Sequence, residues 1–198
     1  MTTMRLSVLD LETQKTFSEV GRDKLHELKV SVAGFYDYPT DSYLTFEENE
    51  ILRLEEYLTQ TDLLIGFNIK SFDLAVLQPY LGIAVTNLPV LDLLEEIKKV
   101  RGHRVTLQSL AVATLKESKS GSGWEAVRLF REGRMDELKK YCLDDVRITK
   151  DVFEYGRKHS RVFFKSERDF QTYEIPVTWG ERLDEFMKKP SAFPTSLF

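Results

Sequence analysis

The chain has 198 residues, 42% of them hydrophobic and 30% charged, which excludes a disordered or fibrous protein and leaves room for one large globular domain, or a domain with a tail. A formal net charge of −4 weighs against a basic nucleic-acid coat. Cys142 is the single cysteine, so no intramolecular disulfide forms.

In chain order, residues 4–11 read as a strand. Leu6 and Val8 share a face with Asp10 and Glu12, and Leu9 and Leu11 lie on the other, because side chains in a strand repeat every second residue. Apolar residues on both faces mark a central strand covered by helices on each side. Its end delivers two carboxylates where core packing gives way, a costly place for unpaired charge. Residues 14–27 read as an irregular excursion turning at Gly21. Strands over 28–36 and 43–46 are expected to pair antiparallel beside the first, before a helix over 47–59 and a strand at 63–65.

The turn after that strand carries Asn68-Ile69-Lys70-Ser71-Phe72-Asp73. Ser71 is a candidate N-cap for a helix over 72–81, shortened by Pro79. Asp73 then sits in the first helical turn, where the helix dipole favours an acid whether or not it has a further role. Lys70 is either a phosphate contact or an exposed turn lysine, and Phe72 either packs beneath a base or fills core. A strand at 88–91 leads into a helix ending near Val100, followed by helices over 107–115 and 125–132. Residues 116–123, rich in Ser, Gly and Lys, are a mobile lip over a groove or a solvated connector.

Residues 135–159 read as one long helix. Leu138, Tyr141, Asp145, Ile148 and Val152 follow alternating steps of three and four, the buried stripe of an amphipathic helix. Asp145 therefore faces the core with Tyr141 one turn before it. A core-facing aspartate is metal-bound, or is satisfied by a buried arginine or a backbone amide. Asp144, Lys150 and Asp151 fall off the stripe, and Cys142 is a packing residue. Beyond it, residues 162–164 and 173–177 suggest a hairpin, with Pro176 confining the second strand to an edge. Trp179, Phe186 and Phe193 suggest that the tail docks onto the body or onto a protein partner. The expected division is 1–160 for the main domain and 161–198 for the hairpin and tail, packed on it or loosely ordered.

Taken together, Asp10-X-Glu12, then Asn68-X-X-X-Phe72-Asp73, then Tyr141-X-X-X-Asp145 resemble the DEDD family of 3'–5' exonucleases, in the branch with tyrosine in the third motif. The resemblance spans residues 4–157 and is closest to stand-alone bacterial-type exonuclease domains. It implies a ribonuclease-H-like α/β fold, a mixed five-stranded sheet flanked by helices on both faces. It also implies that Asp10, Glu12, Asp73 and Asp145 hold two divalent cations, Mg2+ or Mn2+, with Asp10 shared between them, and that Tyr141 orients the attacking water. Carboxylates about 5 Å apart repel by about 3 kcal/mol at an effective dielectric near 20, so four acids at one point call for cations, and all-oxygen donors suit magnesium or manganese.

The expected activity is metal-dependent hydrolysis of phosphodiester bonds at a nucleic-acid 3' end. The alternatives are a catalytically silent nucleic-acid or protein binding module on the same fold, and a structure-selective endonuclease. Leu11, Thr13, Asn68 and Phe72 are expected substrate contacts beside the acids. Lys99, Arg101 and Arg104 are candidates for phosphates of a single-stranded end, DNA or RNA, although cations also accumulate at helix C-termini for local reasons. The basic run Arg157-Lys158-His159-Ser160-Arg161 carries the same two readings. No stretch approaches the ~20 apolar residues that span a bilayer. The N-terminus lacks a signal pattern, so no membrane association and a cytoplasmic location are expected.

Overall fold

The computed structural model describes residues 4–21, 23–117 and 123–188. Its elements, in chain order, are β1 (Leu6–Thr13), α1 (Phe17–Val20), β2 (Val30–Asp37), β3 (Ser42–Glu47), α2 (Ile51–Gln60), β4 (Leu63–Gly66), α3 (Asp73–Leu77), β5 (Val90–Asp92), α4 (Leu93–Arg101), α5 (Leu107–Leu110), α6 (Gly123–Arg131), α7 (Met135–His159), β6 (Arg161–Lys165), β7 (Thr172–Pro176) and α8 (Trp179–Lys188).

Strands β1 to β5 form one sheet in the order β3-β2-β1-β4-β5. β1 pairs antiparallel with β2 and parallel with β4, so the sheet is mixed and β1 is central, as its two apolar faces require. Leu6 and Val8 pack with Leu93 and Ile97 of α4, Leu110 of α5 and Val152 and Phe153 of α7. Leu9 and Leu11 pack on the opposite face with Leu54 and Leu58 of α2 and Leu74 and Leu77 of α3. This is the expected α/β architecture, with helices on both faces.

The long helix α7 has the bounds its periodicity predicts, and every residue of the Leu138–Val152 stripe is buried. It lies against β1 and β2. The approach is close at Gly34 of β2, where a Cβ would stand 2.9 Å from Val146 Cγ2 and 3.0 Å from Cys142 Sγ. Gly34 is the cross-strand partner of Asp10. Only a residue without a side chain lets the helix come this near to the strand that carries the first acid.

Three local expectations are corrected. Phe72, not Ser71, precedes the first turn of α3, and the Ser71 hydroxyl instead donates to Asn68 Oδ1 (2.8 Å). The helix expected over 107–115 splits into α5 and a wider π turn over Ala111–Leu115, where the Thr114 hydroxyl bonds both Phe163 O (2.8 Å) and Phe163 N (2.9 Å) of β6. The tail forms a helix, α8, that the sequence reading did not anticipate. Trp179 is fully buried, stacks on Phe153 (6.3 Å) and covers Gly156, where a Cβ would meet its ring at 2.3 Å. Phe186 is partly buried on the same core, so the described part of the tail docks onto the body. Phe193, with the rest of 189–198, lies outside the described residues, as do 118–122 of the expected lip. Hairpin β6–β7 pairs antiparallel from Arg161↔Pro176 to Lys165↔Thr172, with Pro176 at the end of a two-stranded sheet. Among the described residues no helix is long and apolar enough to cross a membrane.

Candidate metal centre

β1 outruns its parallel neighbour. Its pairing with β4 stops at Val8↔Ile65, whereas its pairing with β2 continues to Thr13. The segment carrying Asp10 and Glu12 therefore has one free edge, and Asp73 covers it, its Oδ1 accepting from Leu11 N (3.0 Å). A register shift between Glu12 and Thr13 re-aims the end of the strand.

Helix α7 brings the last acid. Oxygens of Asp10, Glu12 and Asp145 lie within 4.8 Å of one another, with Glu12 and Asp145 buried and Asp10 half-buried. Tyr141, one turn before Asp145, is buried in the same wall. Asp73 stands outside this tight trio but lines the same groove. Burial, reinforced by the charges of Asp92 and Asp145, pushes its carboxyl up to about 8, against the pull of its bonds to backbone amides. Burial and the surrounding acids also hold the Cys142 thiol well above its ordinary range, with Sγ 3.6 Å from Asp10 O.

The turn bearing the second motif is pinned from an unexpected direction. Asp92, buried at the β5–α4 junction, accepts from Asn68 N (3.0 Å) and Lys70 N (3.1 Å) as well as capping α4 through Leu94 N and Glu95 N. Asn68 adopts φ +65°, a region asparagine tolerates better than most residues. A strand-to-helix step is expected here from sequence, but Asp92's role as the brace is not. The signal was an aspartate in N-cap position.

A groove of about 470 Å³ runs over the acids. Leu11, Thr13 and Phe72 line it, with the Thr13 hydroxyl tied to Lys15 O (2.8 Å). Phe72 packs on Phe17 of α1 (5.6 Å). Lys15, Phe17 and Trp124 also line it and were missed from sequence. Trp124 is 69% exposed at the start of α6, an exposure that no local pattern announces. The remaining candidates lie elsewhere. Lys99 is exposed and pairs with Glu96 on its own helix, and Lys70 pairs with Glu95 (2.9 Å). Arg101 and Arg104 line a second groove, with Arg104 Nη2 donating to Asn68 Oδ1 (2.9 Å). Of the later basic run, Arg157 pairs with Glu154 (2.7 Å) and Arg161 with Glu174 (3.3 Å).

Chemically, three carboxylates in mutual contact distance, two of them buried, need a cation or protons to offset their repulsion. The all-oxygen donor set suits a hard divalent ion.

A mixed sheet with helices on both faces, and acids gathered at the end of its central strand, defines an α/β protein of the ribonuclease-H-like class. Residues 8–156 match the RNase_H_2 family model of the RNase_H superfamily, so the chain belongs to that superfamily. Among curated proteins none is significantly similar to it.

Proposed function

We propose that this protein is a metal-dependent 3'–5' exonuclease. The observation that supports it most is the convergence of Asp10 and Glu12 with Asp145, from opposite ends of the chain, to within 4.8 Å, in a groove that also holds Asp73 and Tyr141. Membership of the RNase_H superfamily suggests a nuclease, and the tyrosine-type motif order supports the polarity.

In this reading Asp10, Glu12 and Asp145 hold one divalent cation, Mg2+ or Mn2+, and Asp73 with Asp10 holds a second. When bound, two such ions activate water and offset charge on the leaving oxygen. The Tyr141 hydroxyl orients the attacking water. Leu11 and Thr13 floor the groove beneath the terminal nucleotide, and Phe72, braced by Phe17, packs against its base. Asp92 keeps the turn of Asn68 to Asp73 in register with the acids.

End-labelled single-stranded DNA and RNA, blocked at either end and incubated with manganese or with chelator, test the proposal. Stepwise shortening from a free 3' end, lost in chelator and with Asp145→Asn, is expected. Internal cuts would point to an endonuclease, absence of cleavage to a binding module, and full activity in chelator would refute the metal mechanism.

A further inference from the structure

The second groove, of about 560 Å³, lies between the end of α4, the loop following it and the β6–β7 hairpin. Most other described arginines are neutralised at close range, as Arg134 is by Glu132 and Glu137 and Arg147 by Glu117, Arg5 with its bond to Gln60 being an exception. Arg101, Arg104 and Arg168 all line this groove, and none of them has a carboxylate partner among the described residues. Lys165 joins them, likewise without one. Two acids share the lining, Glu167 and Asp169, the latter accepting from the Tyr173 hydroxyl (2.7 Å) and Gln171 N (3.2 Å) while keeping its charge. Four cations against two carboxylates leave a net positive concavity that attracts anions.

The aromatic lining selects among anions. Phe164 and Tyr173 stack on each other (5.5 Å), and the Arg101 guanidinium lies over both, 4.9 Å from Phe164 and 5.3 Å from Tyr173. His103 meets Phe164 edge-on (5.9 Å). These rings are engaged within the protein and hold Arg101 in a fixed orientation, with its buried Nε lacking a hydrogen-bond partner among the described residues. The groove thus offers oriented charge rather than a stacking platform, which suits phosphates and not bases.

A bonded path leads from the groove toward the acids: Arg104 donates to Asn68 Oδ1, and Asn68 opens the turn that ends at Asp73. We propose that this groove binds the sugar–phosphate backbone of a single strand, upstream of the end that occupies the acid cluster, through Arg101, Arg104, Lys165 and Arg168. It rests on the exonuclease reading for what fills the acid cluster, but the cation set is its own observation.

Lys165 and Arg168 are exposed on the hairpin, so Lys165→Ala/Arg168→Ala keeps the fold, which circular dichroism checks. Fluorescence anisotropy of a labelled oligothymidine in chelator, over a range of salt, should show weaker binding by the variant. Its slope of log affinity against log salt should be shallower by about 1.4, at about 0.7 per lost phosphate contact on a single strand. An unchanged slope overturns the proposal, and an equal loss of affinity for a mononucleotide overturns it in favour of a free-nucleotide site. A slope that falls while manganese supports no shortening of the strand sinks the exonuclease reading and keeps the groove. A wild type that binds no strand sinks both.

Discussion

At the scale of single residues, Tyr141 and Asp73 carry different burdens. Tyr141 shares the buried face of α7 with Asp145 and lines the groove, its hydroxyl oxygen itself buried. Tyr141→Phe keeps the ring in the core and removes the hydroxyl. Turnover should fall roughly 10- to 100-fold, as expected for a misplaced reactant, while oligonucleotide affinity in chelator changes little. An unchanged turnover would mean that Tyr141 only packs. Asp73 instead titrates. Its ordinary value is 3.8 and the fold pushes it up to about 8, so the folded metal-free protein holds a proton that the unfolded chain releases. The stability this contributes is complete below the ordinary value and is lost as pH rises through the folded one. A cation needs the ionised carboxylate, so metal binding and proton release are linked. The rise in melting temperature produced by manganese should therefore grow as pH climbs through that window. Thermal melts with metal and with chelator measure it, and a constant or shrinking increment would show that Asp73 does not take part.

Among elements, the seam between α7 and the sheet sets the distance between the first and last acids. Gly34→Ala inserts a methyl where Val146 and Cys142 already touch the strand. Overpacking of this kind costs about 1–3 kcal/mol, measurable by denaturant unfolding. Because Gly34 is paired with Asp10, cleavage should fall further than the change in folded fraction explains. Destabilisation with unaltered activity would separate the seam from the site. The elements that were legible in the sequence share a cause. β1 and α7 have long, regular apolar periods, and their acids interrupt those periods at positions where solvation could not explain them. The features that escaped depend on partners distant in the chain. Trp179 begins a helix because Gly156 leaves a slot for its ring, and the π turn after α5 answers to β6 through Thr114. Asp92 read as an ordinary junction because its two extra donors come from a different turn. Trp124 has no buried period to belong to.

For the molecule as a whole, the hairpin and α8 share a core with the main sheet. Val162, Phe164, Ile175, Val177, Trp179 and Leu183 belong to the same cluster as Leu6, Val8 and Leu110. Their removal would uncover the C-terminal half of α7, whose N-terminal half positions Tyr141 and Asp145. The acids also enter the chain far apart, with Asp10 on the first strand and Asp145 on the longest and nearly last helix. A chain emerging from the ribosome therefore displays Asp10, Glu12 and Asp73 long before their fourth companion exists. On the proposed reading, the acid cluster is incomplete in the half-made protein, and no activity that depends on it begins until α7 has docked.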